Sequence, residues 1–237
     1  MTFGFDTILV GVGELFIDIN RYKEKVMNKG LDNLSMPQTF HRNDVEVIST
    51  NTVYNGFFKM IKYRLRHKLF AGGWSGECER ELFERGHAAA VLPYDPVRDQ
   101  VVLIEQFRVG AMAANCQPWQ LEIVAGMLDH DNESPEQVVR REATEESGLV
   151  LGKTEKISRY LSSSGGCSEM LDIFISEVDS RLAQGIHGVA SESEDIRVHV
   201  VSRNQAYQWL ESGKIENAAT IIALQWLQLH HQRLRQA

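Results

Sequence analysis

From about Asn43 the chain alternates apolar and polar residues with the two-residue period of strands. "NDVEVIST" alternates, and "TVYNGFFKMIKYRLRHKLF" is rich in Val, Tyr, Phe and Ile, with Asn55-Gly56 placed for a turn or bulge. After the break "GGWSG", "ECERELFERG" resumes the strand pattern. "HAAAVLPYD", the turn "DPVRD" and "QVVLIEQFRV" predict a hairpin, two apolar runs joined by turn residues. "WQLEIVAG" reads as one strand ending at Gly126, and "KISRYLSS", "EMLDIFISEV" and "DIRVHVVS" as three more. The strands up to about Leu82 are long and polar on one side, which suits a separate small sheet over residues 40–82, ahead of a main domain over 83–237.

Three segments carry the helical period instead. "SPEQVVRREATEESG" starts with an N-cap signal and stops at a glycine. "SRNQAYQWLESG" has a polar start and a glycine stop, and "NAATIIALQWLQLHHQRLRQ" has apolar spacing with basic residues in its last turns, where the helix dipole favours them. Strands first, one central helix, then two helices at the end make a mixed α/β layout.

Composition narrows the function. With 237 residues and 43% hydrophobic content the chain can bury a sizeable core. A net charge of −7 excludes a charge-driven grip on nucleic acid, and no apolar run approaches the roughly 18 residues of a membrane span. Cys78, Cys116 and Cys167 are far apart and odd in number; they read as reduced thiols of a cytoplasmic protein, with no zinc site. "FDTILVGVGELFIDI" near the start is apolar, but its acids and missing basic start set it apart from a secretory signal. Residues 1–39 are therefore read as an extension, either an extra element or sequence upstream of a start at Met27 or Met36.

The chemistry concentrates in the central helix. Ser134 suits the N-cap, Pro135 the first helical position, Gln137 a capping box and Gly148 the C-terminal stop. Within it Glu142 and Glu146 are four apart and Glu145 is three from Glu142, so all three share a face. Like charges at that spacing repel, and a divalent cation would offset them, magnesium preferring carboxylate oxygens. A solvated helix with Arg140 and Arg141 neutralising their neighbours would account for the charges alone.

The wider segment "GMLDHDNESPEQVVRREATEESGL" resembles the Nudix box, G-x5-E-x7-R-E-U-x-E-E-x-G-U with U apolar. Glu133, Arg141, Glu142, Ala143, Glu145, Glu146, Gly148 and Leu149 fall in place, and six residues instead of five separate Gly126 from Glu133. From about Phe40 onward, "GFF", "RELFERGHAA", "LIEQFR", "VAGM", "SGGCSE", "EDIRVHVVS" and "ALQWLQLHH" make the chain similar to the bacterial ADP-ribose pyrophosphatases of that superfamily. The resemblance implies an α/β/α sandwich with a mixed sheet, plus a small N-terminal antiparallel sheet exchanged between the subunits of a homodimer. It implies magnesium-dependent hydrolysis of ADP-ribose to AMP and ribose 5-phosphate, with manganese as a substitute metal.

By the same resemblance, Glu142, Glu146, Glu194 and the backbone carbonyl of Ala125 hold metal, and Glu192 in "ASESEDI" is the base that deprotonates the attacking water. Taken alone, that acidic stretch also reads as a solvated loop. Arg141 would orient the glutamates, with Glu145 assisting on metal or as its partner. Phe57 and Phe58 match adenine-packing positions. Arg80, Glu81, Arg85, Arg108, Met127, Ser163, Ser164, Gly165 and Glu169 match substrate contacts. Ser164 stands sixteen residues past Gly148, where the family commonly has proline. Proline would stiffen that loop, so its absence leaves the reaction class intact and opens the choice of sugar nucleotide. A GDP-mannose pyrophosphatase shares the chemistry with another substrate. A catalytically silent nucleotide-sugar-binding regulator would more often lose the box glutamates, which this chain keeps.

Overall fold

The computed structural model describes residues 39–130 and 132–236, with the backbone alone at Glu192. The extension read at residues 1–39, but for its last residue, lies outside them. Residues 39–45 contain one 3-10 turn, Arg42–Asp44.

Three strands follow, β1 (Val45–Asn55), β2 (Lys59–His67) and β3 (Cys78–Glu84), in the order β1-β2-β3. β2 and β3 pair antiparallel from Lys59↔Glu84 to Leu65↔Cys78. None of their residues is fully buried, and β1 is exposed along nearly its whole length. Strand sequences with such open faces need a second layer to bury their apolar residues.

The larger sheet holds β4 (Ala88–Asp95), β5 (Gln100–Phe107), β6 (Trp119–Glu122), β7 (Val124–Met127), β8 (Thr154–Leu161), β9 (Met170–Glu177), β10 (Ile186–His187) and β11 (Ile196–Ser202). Its order is β10-β11-β5-β4-β9-β8, with β6 on β5 and β7 on β4. β4 and β9 run parallel while the other pairs are antiparallel, so the sheet is mixed. The helices are α1 (Val109–Ala113), α2 (Pro135–Ser147), α3 (Arg203–Glu211) and α4 (Ala218–Arg235).

β4 explains the layering. Every one of its residues is buried, which requires cover on both faces. Ala88, Ala90, Leu92 and Tyr94 pack with Ala206 of α3 and Ala223, Leu224 and Leu227 of α4. Ala89 and Val91, pointing the other way, pack with Val138, Val139 and Ala143 of α2. The result is the α/β/α sandwich expected from the sequence.

Two features differ from the sequence reading. The hairpin of β4 and β5 is paired only at its base, Tyr94↔Val101 and Asp95↔Gln100. Beyond that it opens, and the segment "WQLEIVAG" fills the gap as two strands instead of one. β6 pairs with β5 from Ile104↔Glu122 to Phe107↔Trp119, and β7 pairs with β4 from Ala88↔Met127 to Val91↔Val124. The chain changes partners at Ile123, whose side chain is buried and whose N–H leaves the ladder to donate to Thr220 Oγ1 at 3.0 Å. An alternating pattern cannot reveal such a switch, because both halves keep the strand period. The short α1 and β10 carry too few residues for a period to show.

Thr220 is fully buried, so Thr220→Val should leave the Ile123 N–H without an acceptor and cost about 1–3 kcal/mol. Urea unfolding measures this; a loss under about 0.5 kcal/mol would mean the switch does not depend on that bond.

Candidate active site

The central helix forms as its ends dictate. Ser134 Oγ accepts the Gln137 N–H at 3.3 Å, and Gln137 Oε1 accepts the Ser134 N–H at 2.8 Å, a reciprocal cap worth about 1 kcal/mol. Pro135 takes the first helical position, and Gly148 ends the helix in the left-handed region at φ 67°. The additional residue ahead of Glu133 is taken up before the cap. Asn132 turns left-handed at φ 70°, and the Glu133 N–H meets His130 O at 3.3 Å. The helix register is untouched.

With Val138, Val139 and Ala143 facing the sheet, the charged residues line the helix flank toward β7. Arg141 is their hub. Its Nη1 donates to Glu142 Oε1 at 2.8 Å and Glu145 Oε2 at 3.0 Å, and its Nε and Nη2 donate to Glu133 at 3.3 and 3.4 Å. Burial opposes the charge on Arg141, but the glutamates around it raise its pKa above the usual arginine value. Glu145 is thus in contact with Arg141, the partner named in one of the two roles read for it.

Glu142 lies directly over Gly126, where any Cβ would overlap its carboxylate. A side chain at the box glycine would therefore displace the Glu142 carboxylate from its present place. Burial, opposed by Arg141 and reinforced by Glu145 and Glu194, pushes the Glu142 carboxyl up to about 7. Glu146 is 2% exposed, with the Ala125 N–H donating to its Oε2 at 3.1 Å. Burial first, then the fields of Glu142 and Glu194, raise it well above the ordinary carboxylate value. So Ala125 reaches Glu146 through its N–H. Glu194 accepts the Val189 N–H at 3.1 Å. Its loop is tied to the helix by the Gly188 N–H on Glu145 O at 3.3 Å.

Among the described residues no three His, Cys, Asp or Glu side chains converge as metal ligands. Glu142, Glu146 and Glu194 each hold a hydrogen-bond donor of this chain. Their chemistry nonetheless fits a hard divalent cation: burial and the field of Glu194 raise the cost of ionising Glu142 and Glu146, Glu142 adds to it at Glu146, and all three offer oxygens. The side chain of Glu192, the expected base, lies outside the described residues; its backbone ends the 3-10 turn Ala190–Glu192.

On the other side, Arg108 donates through Nε and Nη2 to Glu122 Oε2 at 3.0 and 2.7 Å. Burial opposes its charge, but Glu122, with the fields of Glu146 and Glu194, raises it. Sequence reasoning passed over Glu122. The signal available was an acid set between Leu121 and Ile123 in an apolar strand.

A second group forms apart from this one. Phe57 and Phe58 meet edge to face at 4.7 Å, and Phe58 meets Phe83 at 5.1 Å. Arg85 lies over the Phe58 ring at 5.4 Å and pairs with Glu169 at 3.4 Å, while its buried Nε has no partner. The loop at Ser163–Gly166 joins here, since Gly166 O accepts the Phe83 N–H at 2.8 Å; Ser163 O accepts the Gly166 and Cys167 N–H groups, which closes its turn without proline. Met127, beside Gly126, reaches to within 3.8 Å of where a Cβ on Gly86 would stand, next to Arg85. Arg80 and Glu81 are exposed on β3 and join neither group, Arg80 Nη1 donating to Glu79 O.

Residues 84–224 match the family described as the NUDIX domain, well over half of the chain. The chain belongs to the Nudix family. This Nudix chain is 59% identical to the ADP-ribose pyrophosphatase of Escherichia coli (strain K12) over 201 residues, 85% of this chain and 96% of that protein. It is 46% identical over 207 residues to the ADP-ribose pyrophosphatase of Haemophilus influenzae, 86% and 95% of the two. The GDP-mannose pyrophosphatase of Escherichia coli O1:K1 is 38% identical over 155 residues, covering 65% of this chain and 79% of that one. A crystal structure of an ADP compounds hydrolase superposes with a TM-score of 0.62 over 81% of this chain and 97% of that chain at 19% identity, a likeness of fold.

The raised Glu142 pKa has a direction in stability. The folded state holds its proton up to about 7, the unfolded chain only to about 4.5, so metal-free protein should lose stability as pH climbs through that window. Glu142→Gln removes the titration and should be more stable than the parent by about 1–3 kcal/mol near pH ~8, and no more stable near pH ~4. Urea unfolding with chelator at both values checks this; a gain equal at both would show that Glu142 ionises normally.

Proposed function

We propose that this Nudix enzyme hydrolyses ADP-ribose to AMP and ribose 5-phosphate, with magnesium as its cofactor and manganese able to replace it. The observation that carries the reading is the pair Glu142 and Glu146, desolvated beside each other and within the field of Glu194, with Arg141 holding Oε1 of Glu142. The identity to ADP-ribose pyrophosphatases over nearly the whole of their length supports the substrate; the match to a GDP-mannose pyrophosphatase is shorter and weaker.

In this reading Glu142, Glu146 and Glu194, with the Ala125 backbone, hold the cation. A divalent ion bound there neutralises the diphosphate oxygens and the leaving phosphate. Arg141 keeps the glutamates from splaying, as a guanidinium forking onto carboxylates does. Glu192 takes a proton from the attacking water, whose oxygen bonds to phosphorus as the bridging P–O bond breaks, leaving AMP and ribose 5-phosphate. Its place on a loop suits a group that closes over substrate. Arg108 and Arg85 bind phosphate or ribose oxygens, Arg85 with an unsatisfied Nε to offer. Phe57 and Phe58 take the adenine. Met127, Glu169 and the Ser163, Ser164, Gly165 loop line the rest.

Arg80 and Glu81 join neither group of their own chain, and Phe57 meets Phe58 while leaving most of its surface open to another chain. Phe57 is 86% exposed, and β1 has no buried residue. We read residues 40–82 as a sheet exchanged within a homodimer, each copy lending its aromatic and basic groups to the other's site. We assign the enzyme to the cytoplasm, a reading that three cysteines, odd in number and far apart in sequence, support.

Two experiments test this. Incubation with magnesium and ADP-ribose should give AMP and ribose 5-phosphate faster than GDP-mannose is cleaved, and Glu192→Gln should lower kcat by about 10²–10⁴-fold with folding intact. A variant as active as the parent removes Glu192 as base. Mixing Phe57→Ala with Glu146→Gln chains should restore activity above that of either alone, because one site in the mixed dimer is then whole. No recovery in a verified mixed dimer would end the exchange.

A further inference from the structure

We infer that Glu122 is a positioning residue that holds Arg108 away from the carboxylate cluster and so keeps that cluster open to its cation. This rests on the reading of Glu142, Glu146 and Glu194 as the cation-holding groups. Glu122 is 4% exposed, the one acid in the apolar run from Leu121 to Val124. Such a carboxylate survives only if its oxygens are fully engaged. Oε2 accepts from Arg108 Nε at 3.0 Å, Arg108 Nη2 at 2.7 Å and Gln106 Nε2 at 3.4 Å; Oε1 accepts from Asn217 Nδ2 at 3.1 Å. Asn217 is the N-cap of α4, where its Oδ1 also accepts the Thr220 N–H at 3.0 Å. The anchor is thus fixed by a helix of the opposite layer.

What it restrains is a guanidinium within the field of two other carboxylates, Glu146 and Glu194. No hydrogen bond or ion pair joins Arg108 to either among the described residues; both of its bonds go to Glu122. A long, charged side chain released from that anchor within the field of Glu146 and Glu194 would fork onto them. There it would occupy the oxygens a cation needs. Bound to Glu122 through one edge, Arg108 keeps Nη1 without a hydrogen-bond partner among the described residues, available to an anionic ligand.

The test is a double-substitution cycle read by Mn2+ binding to metal-free protein, using electron paramagnetic resonance. Glu122→Gln removes the anchor's charge, and Glu122→Asp keeps the charge but withdraws it by one methylene. Each should weaken Mn2+ binding about tenfold, and each should lose most of that effect when Arg108→Ala is also present. Equal effects of Glu122→Gln in both backgrounds, or unchanged binding in Glu122→Asp, would overturn the inference, because Glu122 would then act through its field alone. If Glu122→Gln fails to fold by thermal unfolding, the Asp variant carries the comparison. Glu142→Gln serves as reference. Mn2+ binding lost there with additive Glu122 effects sinks this inference alone; Mn2+ binding unchanged there sinks the cation reading and this inference with it.

Discussion

One guanidinium organises the acidic centre of this protein. Arg141 donates to Glu133, Glu142 and Glu145, and Glu146 and Glu194 stand within electrostatic reach of Glu142. A helix with glutamates at such spacing would repel itself in isolation. Here repulsion is divided: Arg141 balances Glu133 and Glu145 and partly offsets Glu142, while burial keeps Glu142 and Glu146 raised. The Arg141 contacts fix geometry, and the two desolvated carboxylates retain the charge cost that a cation bound there, as proposed, would relieve. A centre neutralised throughout would be more stable and chemically idle, the trade between stability and function met at many active sites.

The sheet makes that division feasible. Because the β4–β5 hairpin opens, β6 and β7 enter it, and β7 brings Ala125 and Gly126 beneath the helix. Gly126 leaves room for the Glu142 side chain, and the Ala125 N–H engages Glu146. The partner switch at Ile123 therefore does more than complete a sheet. It aims two strand ends in different directions, β7 toward the acidic helix and β6, with Glu122, toward Arg108.

The helix was the most readable part of the chain, because its information is local: a capping box, a proline, a stopping glycine and a three-and-four spacing lie within fifteen residues. Strand and helix order gave the mixed α/β layout, whereas the α/β/α layering came from family likeness. Its physical basis is the unbroken apolar run of β4, which needs cover on both faces. The split of "WQLEIVAG" was not, because the hydrogen bond that causes it comes from Thr220, 97 positions away. Glu122 was missed for the same reason: its partners are Arg108 and Asn217, and strand periodicity says nothing about who meets an acid buried in the run. Family likeness supplied what spacing could not, the pairing of the Glu194 loop with the helix. The grouping of Arg85, Phe58 and Glu169 depends on contacts between β3, its neighbours and the loop before β9, again invisible to local pattern.

The left-handed turn at Asn132 has a consequence for how such proteins are found. The additional residue ahead of Glu133 is spent on a bend outside the helix, and Glu133 still meets Arg141. What the geometry keeps is the interval from Glu133, one residue ahead of the cap, to Arg141, eight positions; the interval from glycine to glutamate only has to close a loop. A search string that fixes both lengths would discard this chain over its elastic part. One anchored on the cap, with the upstream spacing left to float, would keep it and others like it.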